Sequence, residues 1–246
     1  MRTVALIPAR WASTRFPGKA LALILGRPMI EHVYLRALAI PGAAEVHIAT
    51  DSPEIRRAAE KFGGRVVMTS DRHPSGSDRL AEAADLLGLA DEDVVLNIQG
   101  DQPAFDPEQP ARLALALLAD PGLAMATLAI PLADGPDLHN PNHVKVAFGA
   151  DREALYFSRA PIPWPREGEG EYHRHIGLYA YRAGFLRRFV TLPEGRLERL
   201  ERLEQLRALE NRARIKVVLG SGWSPEVDTP ADLPAAEAAL RASGDL

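Results

Sequence analysis

Short apolar runs rich in β-branched residues alternate with segments of helical periodicity over the first half of the chain. The runs predict strands and the periodic segments predict helices. Strands that alternate with helices form parallel βαβ units, so we expect an α/β fold. The predicted strands are Val4–Ile7, Val46–Thr50, Arg65–Met68, Val94–Ile98 and Ala124–Ile130, and the predicted helices are Met29–Leu38, Pro53–Phe62, Ser77–Leu87 and Gln109–Leu118.

The pattern becomes more irregular after about residue 140. The segment Ala160–Pro165 has too many prolines for a central strand, and the acidic, glycine-containing segment Arg166–Tyr172 predicts an exposed loop. We interpret residues 140–215 as an elaboration inserted into one domain that spans residues 1–246. The remaining predicted elements are strands at Val144–Phe148, Ala154–Phe157, His175–Tyr181 and Ile215–Leu219, a long helix at Gly195–Asn211 and a final helix from Thr229.

Composition narrows the class of protein. The 246 residues are 46% hydrophobic and 25% charged, which is enough apolar material for one substantial core. The net charge of -4 argues against a nucleic-acid-binding surface. No stretch is apolar for long enough to cross a bilayer, and the first apolar run stops at Pro8 and Arg10, unlike a signal peptide. We therefore expect a cytoplasmic protein. The chain has no cysteine, which excludes disulfides and thiolate chemistry.

A basic loop follows the first predicted strand. Arg10, Arg15 and Lys19 stand there among small residues such as Ser13 and Gly18. Arginine offers a planar fork to phosphate oxygens and lysine a point charge, while small residues let backbone N–H groups approach. Ligands of open α/β sheets bind outside the carboxyl ends of the strands. The loop therefore predicts a polyphosphate site, with a solvated basic loop as the alternative.

Two aspartates are candidates for a shared metal ion. Asp101 follows the predicted strand Val94–Ile98, and Asp228 precedes the final helix. Thr229 and Asp232 are explained as caps of that helix, whereas Asp228 has no such explanation. Mg²⁺ favours one or two carboxylates together with phosphates and water. The pair predicts a nucleotidyl-transfer site, and a simple turn is the alternative for Asp101.

The motif Ser75–Leu80 begins a predicted helix. Ser77 can cap that helix, which is the structural alternative to a binding role. Ser75 and Gly76 also offer uncovered backbone to a flat ligand such as a base. Arg79 is unfavourable near the positive end of a helix dipole, so we expect it to have an anionic partner.

Polar rings in the second half of the chain predict a further subsite. His175, Gly177 and Tyr179 alternate and would share one face of a strand. A glycine between two polar rings leaves an open floor that suits a polyhydroxylated ligand, although a lone strand histidine is usually structural. Arg159 could pair with a substrate carboxylate.

Leucines recur at every third position of Leu197–Leu209. The pattern indicates a helix that buries this stripe in the core or in a dimer interface. Glu204 and Gln205 do not belong to the stripe and are candidate sugar contacts.

These motifs, in order over essentially the whole chain, resemble the 3-deoxy-manno-octulosonate (Kdo) cytidylyltransferases, also called CMP-Kdo synthetases. The resemblance implies a Rossmann-like nucleotidyltransferase with a mainly parallel central sheet and a smaller inserted dimerisation region. The matching blocks are Ile7–Lys19, Ala49–Asp51, Ser75–Leu80, Asn97–Asp101, Asn140–Val146, Ala154–Ala160, Ile162–Trp164, Arg174–Tyr179, Leu203–Arg207 and Val227–Pro230.

The resemblance also implies an activity and a set of roles. The activity is the transfer of CMP from CTP to Kdo with release of pyrophosphate, for lipopolysaccharide biosynthesis, by an Mg²⁺-dependent homodimer. Catalysis is implied for Arg10, Lys19, Asp101 and Asp228, of which the two aspartates are the Mg²⁺ ligands. CTP binding is implied for Pro8, Ala9, Arg10, Ser13, Arg15, Lys19, Ser75, Gly76, Arg79 and Asp101, and sugar binding for Gln99, Arg159, His175, Tyr179, Glu204 and Gln205.

The chain departs from the family pattern at a few positions. Gln102 stands where an acid commonly follows the metal-binding aspartate, Ser77–Asp78 replaces the usual Thr-Glu pair, and Pro225–Glu226 replaces small residues. The loop Arg166–Tyr172 is short. None of these changes removes a proposed ligand.

Three other functions remain as alternatives. A sialic-acid cytidylyltransferase would carry a Gly-Ser-Lys type of loop where this chain has Ala12–Arg15. A nucleotide sensor on the same fold would not need both Asp101 and Asp228, and a related glycosyltransferase would carry an Asp-x-Asp motif that Gly100–Pro103 lacks. Walker A and dinucleotide-binding glycine motifs are absent from the sequence, which weakens ATPase and dehydrogenase interpretations.

Overall fold

The computed structural model describes residues 1–11, 16–220, 222 and 224–244. The strands are β1 Thr3–Ala9, β2 Leu23–Ile24, β3 Arg27–Pro28, β4 Glu45–Thr50, β5 Val66–Met68, β6 Val94–Asn97, β7 Met125–Leu132, β8 Lys145–Phe148, β9 Ala154–Ser158, β10 Tyr172–Arg182 and β11 Ile215–Leu219. The α-helices are α1 Met29–Leu38, α2 Pro53–Lys61, α3 Gly76–Leu86, α4 Glu108–Ala119, α5 Pro136–His139, α6 Ala183–Thr191, α7 Arg196–Glu201, α8 Gln205–Glu210 and α9 Leu233–Ala242.

Nine strands of the described residues form one sheet. Its main path has the order β11-β7-β10-β6-β1-β4-β5, and β8 and β9 join it through β10. The β1, β4, β5 and β6 strands are mutually parallel, as are β7 and β11, whereas β10 runs antiparallel to both of its neighbours on that path. The expected α/β fold with a mainly parallel central sheet is confirmed.

Alternate residues of β1 face opposite sides of the sheet and enter different cores. Ala5 and Ile7 pack with side chains of α1, α2 and α4 on one side. Val4 and Leu6 pack with side chains of α3 and α6 on the other. All four residues are fully buried, which explains why the strand reads as a continuous apolar run.

Several predicted elements agree closely with the structure. The predicted bounds of α1 are those observed, and α2 begins at Pro53 after the N-cap Ser52, whose Oγ accepts a hydrogen bond from the Ile55 N–H. Proline at the first position suits a helix because its missing N–H would have no partner there.

The long helix predicted at Gly195–Asn211 is wrong. The segment forms two short helices, α7 and α8, and Arg202 between them adopts a left-handed conformation with a φ of 53°. The leucine periodicity crosses this break because Leu203 and Leu206 both enter the core, while Leu200 is exposed.

The region 140–215 contributes both peripheral and central elements. β8 and β9 pair with one another outside the main path of the sheet, but β10 lies between β7 and β6 at its centre. The extent of the inserted elaboration stays a prediction. Within the described ranges, no helix is long and apolar enough to span a membrane.

Candidate active site

The carboxyl ends of β1 and β6 bring two predicted motifs to one edge of the sheet. The two strands are adjacent and parallel, so Arg10 after β1 and Asp101 after β6 line the same cavity, of about 340 Å³. Gly100 permits this approach, because a Cβ there would lie 3.1 Å from the Pro8 carbonyl oxygen.

Most of the predicted nucleotide-binding and catalytic residues share this cavity. Ten predicted site residues line it, whereas Ser13 and Arg15 lie outside the described residues. The ten are Pro8, Ala9, Arg10, Lys19, Ser75, Gly76, Arg79, Gln99, Asp101 and Asp228.

Lys19 lies between the two predicted metal ligands. Its Nζ donates to Asp101 Oδ2 at 2.7 Å and lies 3.4 Å from Asp228 Oδ1. Gly18, with a φ of 70°, provides the left-handed turn immediately before the lysine. The two carboxylates therefore converge on one positive charge.

The segment carrying Asp228 is fixed on both sides of that residue. Val227 is fully buried in a small core with Ile24 and Met29, and its N–H donates to the Asp101 carbonyl oxygen at 2.9 Å. On the other side, Asp232 Oδ2 accepts the Asp228 N–H at 3.0 Å. Asp232 also accepts the N–H and hydroxyl of Thr229, which confirms its predicted capping role.

Gln102 and Glu226 extend this contact. Gln102 Nε2 donates to Glu226 Oε1 at 3.0 Å. Glu226 lies close enough to Asp101 and Asp228 for their negative charges to act on its carboxyl group. This contact places a third acidic side chain near the two predicted metal ligands.

The donor set fits a magnesium ion. Carboxylate oxygens are hard ligands that suit Mg²⁺, and the Lys19 ammonium demonstrates that Asp101 and Asp228 can face one cation. Among the described residues, no group of three or more His, Cys, Asp or Glu side chains is arranged to hold a metal ion by itself. Phosphate oxygens and water would have to complete the coordination.

The N-terminus of α3 is capped by Ser75 rather than by Ser77, which corrects the predicted cap. Ser75 Oγ accepts the Asp78 N–H at 3.2 Å and donates to the Asp78 carboxylate at 2.6 Å. Ser77 is buried and donates to Glu204 Oε2 at 2.8 Å. The helix starts one residue earlier than predicted because the first serine, not the third residue of the motif, has extended backbone.

Arg79 has the anionic partner predicted for it. Its Nη2 lies 3.4 Å from Asp51 Oδ1, and Nη1 donates to the Thr69 hydroxyl. The side chain is buried yet lines the cavity. It is therefore a cation of fixed orientation.

Three of the predicted sugar-binding residues, Gln99, His175 and Tyr179, form a second group beside this cavity. Gln99 joins this group to the cavity, since it lines the cavity and its Nε2 donates to the Gly177 carbonyl oxygen at 2.8 Å, between His175 and Tyr179. The His175 and Tyr179 rings lie 5.4 Å apart, and a Cβ at Gly177 would meet no atom within 4 Å. The space at Gly177 is therefore open as predicted, but the two rings contact each other rather than flank an open floor.

His175 and Tyr179 are neutral components of this group. Burial lowers the pKa of His175 to about 3 and raises the pKa of Tyr179. The Nε2 of His175 lies 2.9 Å from the Thr127 hydroxyl. Positive charge toward a substrate carboxylate would therefore have to come from another residue, such as Arg159.

Arg159 and Glu204 lie in the loops that follow β9 and α7, respectively. The Arg159 guanidinium donates to the carbonyl oxygens of Glu201 at 2.7 Å and of Pro141 at 2.8 Å. Glu204 lies 3.2 Å from Ser75 Oγ, and burial raises the pKa of its carboxyl. Gln205 is buried at the start of α8. Glu204 thus contacts the first turn of α3 through Ser75 and Ser77. The sugar-binding roles stay predictions.

Sequence reasoning missed some residues that line the cavity. Ala20, Met29, His73 and Pro74 belong to it. His73 Nε2 contacts Glu82, which also accepts the Ser70 N–H. His73 and Pro74 could have been found in the sequence from their position, because they directly precede the Ser75 motif.

Comparison with known proteins gives close matches over nearly the whole chain. Residues 4–215 match the sequence model of the family described as Cytidylyltransferase. A 3-deoxy-manno-octulosonate cytidylyltransferase of Desulfatibacillum aliphaticivorans is 50% identical over 243 residues, covering 98% of this chain and 99% of that protein. An 8-amino-3,8-dideoxy-manno-octulosonate cytidylyltransferase of Shewanella pealeana is 50% identical over 242 residues, with the same coverage of both chains.

Solved structures agree with these sequence matches. A CMP:2-keto-3-deoxy-manno-octonic acid synthetase complexed with CTP is 41% identical, with a TM-score of 0.94, and the match covers 99% of this chain and 100% of the solved one. A 4-diphosphocytidyl-2C-methyl-D-erythritol synthase, 16% identical with a TM-score of 0.66 over 97% and 98% of the two chains, shares the fold alone. The sequence and structural matches lead to one conclusion: the chain belongs to the cytidylyltransferase family.

Proposed function

We propose that this protein transfers CMP from CTP to the anomeric hydroxyl of Kdo. The observation that supports this proposal best is the cavity at the carboxyl ends of β1 and β6, where Arg10 and Lys19 share one site with the Asp101–Asp228 pair. The 41% identical structure complexed with CTP supports the choice of nucleotide. The relative of Desulfatibacillum aliphaticivorans supports the choice of acid.

In this proposal the hydroxyl oxygen of Kdo attacks the α-phosphorus of CTP in line. A new phosphorus–oxygen bond forms and the bond to the bridging oxygen of the β-phosphate breaks. Pyrophosphate leaves with the electron pair of that bond, and the proton of the attacking hydroxyl passes to solvent water. The work of the protein is to align the two substrates and to offset the negative charge of the reacting groups.

Arg10 and Lys19 would hold the triphosphate. Arg10 is exposed at the end of β1, where a guanidinium can contact two phosphate oxygens at once. Lys19 would exchange its carboxylate partners for phosphate when nucleotide arrives. Ser75, Gly76 and Arg79 line the other part of the cavity and would contact the cytidine.

Asp101 and Asp228 would hold Mg²⁺. The ion would offset charge on phosphate oxygens and on the attacking hydroxyl. The protein contributes the spacing of the two carboxylates, which the buried Val227 and the capping Asp232 fix.

Gln99, Arg159, His175, Tyr179, Glu204 and Gln205 would form the sugar-acid pocket. Arg159 supplies the positive charge for the substrate carboxylate, and the open space at Gly177 admits the sugar ring. The neutral His175 and Tyr179 offer polar edges without competing charge. Since Gln99 lines the nucleotide cavity and reaches Gly177, it would place the hydroxyl near the α-phosphorus.

The active form would be a homodimer. Three large apolar side chains in the region 140–215 are exposed in the single chain: Leu155 at 67%, Trp164 at 83% and Leu200 at 69%. Burial of such residues against a second copy would remove apolar area from water.

The 8-amino-8-deoxy form of Kdo is the second candidate acid. The relative of Shewanella pealeana named for that substrate is as similar to this chain as the relative named for Kdo. The two acids differ at one substituent, so the proposed chemistry is the same for both.

Mg²⁺-dependent pyrophosphate release tests the proposal. CTP, UTP, ATP and GTP are each supplied with Kdo, with its 8-amino form and with N-acetylneuraminate, and Asp101→Asn is the inactive control. Release with CTP and one of the two octulosonates is expected, and the ratio of their kcat/KM values identifies the acid. Release with N-acetylneuraminate alone contradicts the pocket assignment. CTP binding without release in any mixture supports a nucleotide sensor instead.

A further inference from the structure

The segment that carries Asp228 approaches Asp101 from a distant part of the chain. Among its described residues after β11, the first regular secondary structure is the short 3-10 turn at Pro230–Asp232. The spacing of the two proposed metal ligands therefore depends on the individual contacts that hold this segment. One backbone bond, from Val227 N–H to the Asp101 carbonyl oxygen, joins the two motifs directly.

A side-chain hydrogen bond lies immediately beside that backbone bond. Gln102 follows Asp101, Glu226 precedes Val227, and the amide of the first donates to the carboxylate of the second at 3.0 Å. Gln102 is only 4% exposed, so its orientation is fixed by packing, whereas Glu226 is exposed. A hydrogen bond to a charged acceptor is about twice as strong as one between neutral groups.

We propose that Gln102 and Glu226 are a positioning pair for the metal site. Their hydrogen bond keeps the Val227 segment against Asp101 and so keeps Asp228 at the distance at which both aspartates face one cation. This inference rests on the proposed function for its metal, but its first test needs neither metal nor substrate.

The pair is tested first in the protein alone. Hydrogen–deuterium exchange is followed by mass spectrometry on the peptide that carries Val227, with no nucleotide or metal present. In Gln102→Ala we expect exchange of this amide to become about tenfold faster, since one charge-assisted hydrogen bond is lost. Glu226→Ala removes the same hydrogen bond by changing its exposed partner and leaves the buried glutamine in place. This variant is used for the same measurement if Gln102→Ala folds poorly.

A second measurement connects the pair to metal use. The Mg²⁺ concentration for half-maximal pyrophosphate release should rise about tenfold in either variant. The exchanged pair, Gln102→Glu with Glu226→Gln, restores the bond with donor and acceptor reversed and keeps the net charge. It should return both readouts to within about threefold of the unmodified protein.

Gln109→Ala is the matched control. Gln109 is also a buried glutamine, and its Nε2 donates to the Gly222 carbonyl oxygen at 2.9 Å. Gly222 belongs to the same segment but is farther along the chain from Asp228 than Glu226 is. We expect it to leave both readouts unchanged. The inference is overturned if Gln102→Ala does not alter exchange at Val227, if the exchanged pair fails to recover, or if Gln109→Ala acts as strongly. Because exchange needs no turnover, failure of the proposed reaction would not be mistaken for failure of the pair.

Discussion

Replacing Lys19 with methionine should separate catalysis from stability. The lysine ammonium donates to Asp101 and lies 3.4 Å from Asp228, but the side chains of the three residues are 20%, 27% and 37% exposed. Ion pairs that are this accessible to water contribute about 0 to 1 kcal/mol each. Lys19 Nζ also donates to the Val227 carbonyl oxygen at 3.2 Å. Loss of both pairs and of this hydrogen bond should therefore cost less than about 3 kcal/mol, which lowers the melting temperature by less than about 12 °C in a chain of this size.

The loss of activity should be much larger. A positioned cation that interacts with the charge of the transferring phosphoryl group typically contributes a factor of about 100 to 1000 in rate. We expect kcat for CTP and Kdo to fall by at least about 100-fold in Lys19→Met. Lys19→Arg keeps the charge but replaces a compact ammonium with a planar guanidinium, so its kcat should lie between those of Lys19→Met and the unmodified protein.

Arg214→Met is the matched control for Lys19→Met. Arg214 likewise bridges two carboxylates, those of Asp120 and Glu153, but none of the three residues lines the cavity. The melting temperature of Arg214→Met should shift by about as much as that of Lys19→Met, but its kcat should stay within about twofold of the unmodified protein. The measurements are pyrophosphate release at saturating substrates and thermal unfolding. If Lys19→Met stays folded and keeps more than about a tenth of the kcat, Lys19 does not hold the triphosphate.

Three further predictions concern pH and assembly. Burial lowers the pKa of His175 to about 3, so the unfolded chain binds a proton at this histidine at higher pH than the folded chain does. Stability should therefore fall as pH decreases below 6.5. In His175→Gln, the urea midpoint of unfolding should depend less steeply on pH in this range. Burial raises the pKa of Glu204, so the folded state keeps its proton to higher pH. Its contribution should be lost as pH rises from about 4.5 through the raised pKa, and Glu204→Gln should remove that loss in the same titration. Trp164→Asp and Leu200→Asp should convert the expected dimer to monomer in sedimentation velocity, whereas an unchanged sedimentation coefficient would contradict the proposed interface.

The parts of the fold that sequence predicted well are those in which local pattern and tertiary environment agree. The apolar run at β1 is buried on both faces, and α1 combines helical periodicity with a buried stripe, so each pattern has one interpretation. At α7 and α8 the local sequence pattern and the tertiary environment disagree. The leucine repeat continues across the left-handed Arg202, and arginine gives no signal for a break of the kind that glycine or proline would.

Capping shows the same limit on a smaller scale. Ser75 and Ser77 are chemically equivalent candidates, and sequence reasoning chose the one next to the helical pattern. The structure uses Ser75 as the cap because its backbone is extended, whereas Ser77 lies within the first turn and donates to Glu204, which is 127 residues away along the chain. A single sequence does not reveal a partner at that separation.

The meeting of Asp101 and Asp228 required both kinds of information. The strand before Asp101 and the cap after Asp228 were recognisable in sequence, so each aspartate could be placed at the end of an element. What brings them together is Val227, an apolar residue with no regular secondary structure around it, which is fully buried and bonded to the Asp101 backbone. A single buried valine that carries an aspartate into the site has no periodic signature. It follows that Val227→Ala should separate the carboxylates as well as weaken the core, and that its effect on Mg²⁺ dependence should exceed that of Leu240→Ala, which thins the same core at a distance from the site.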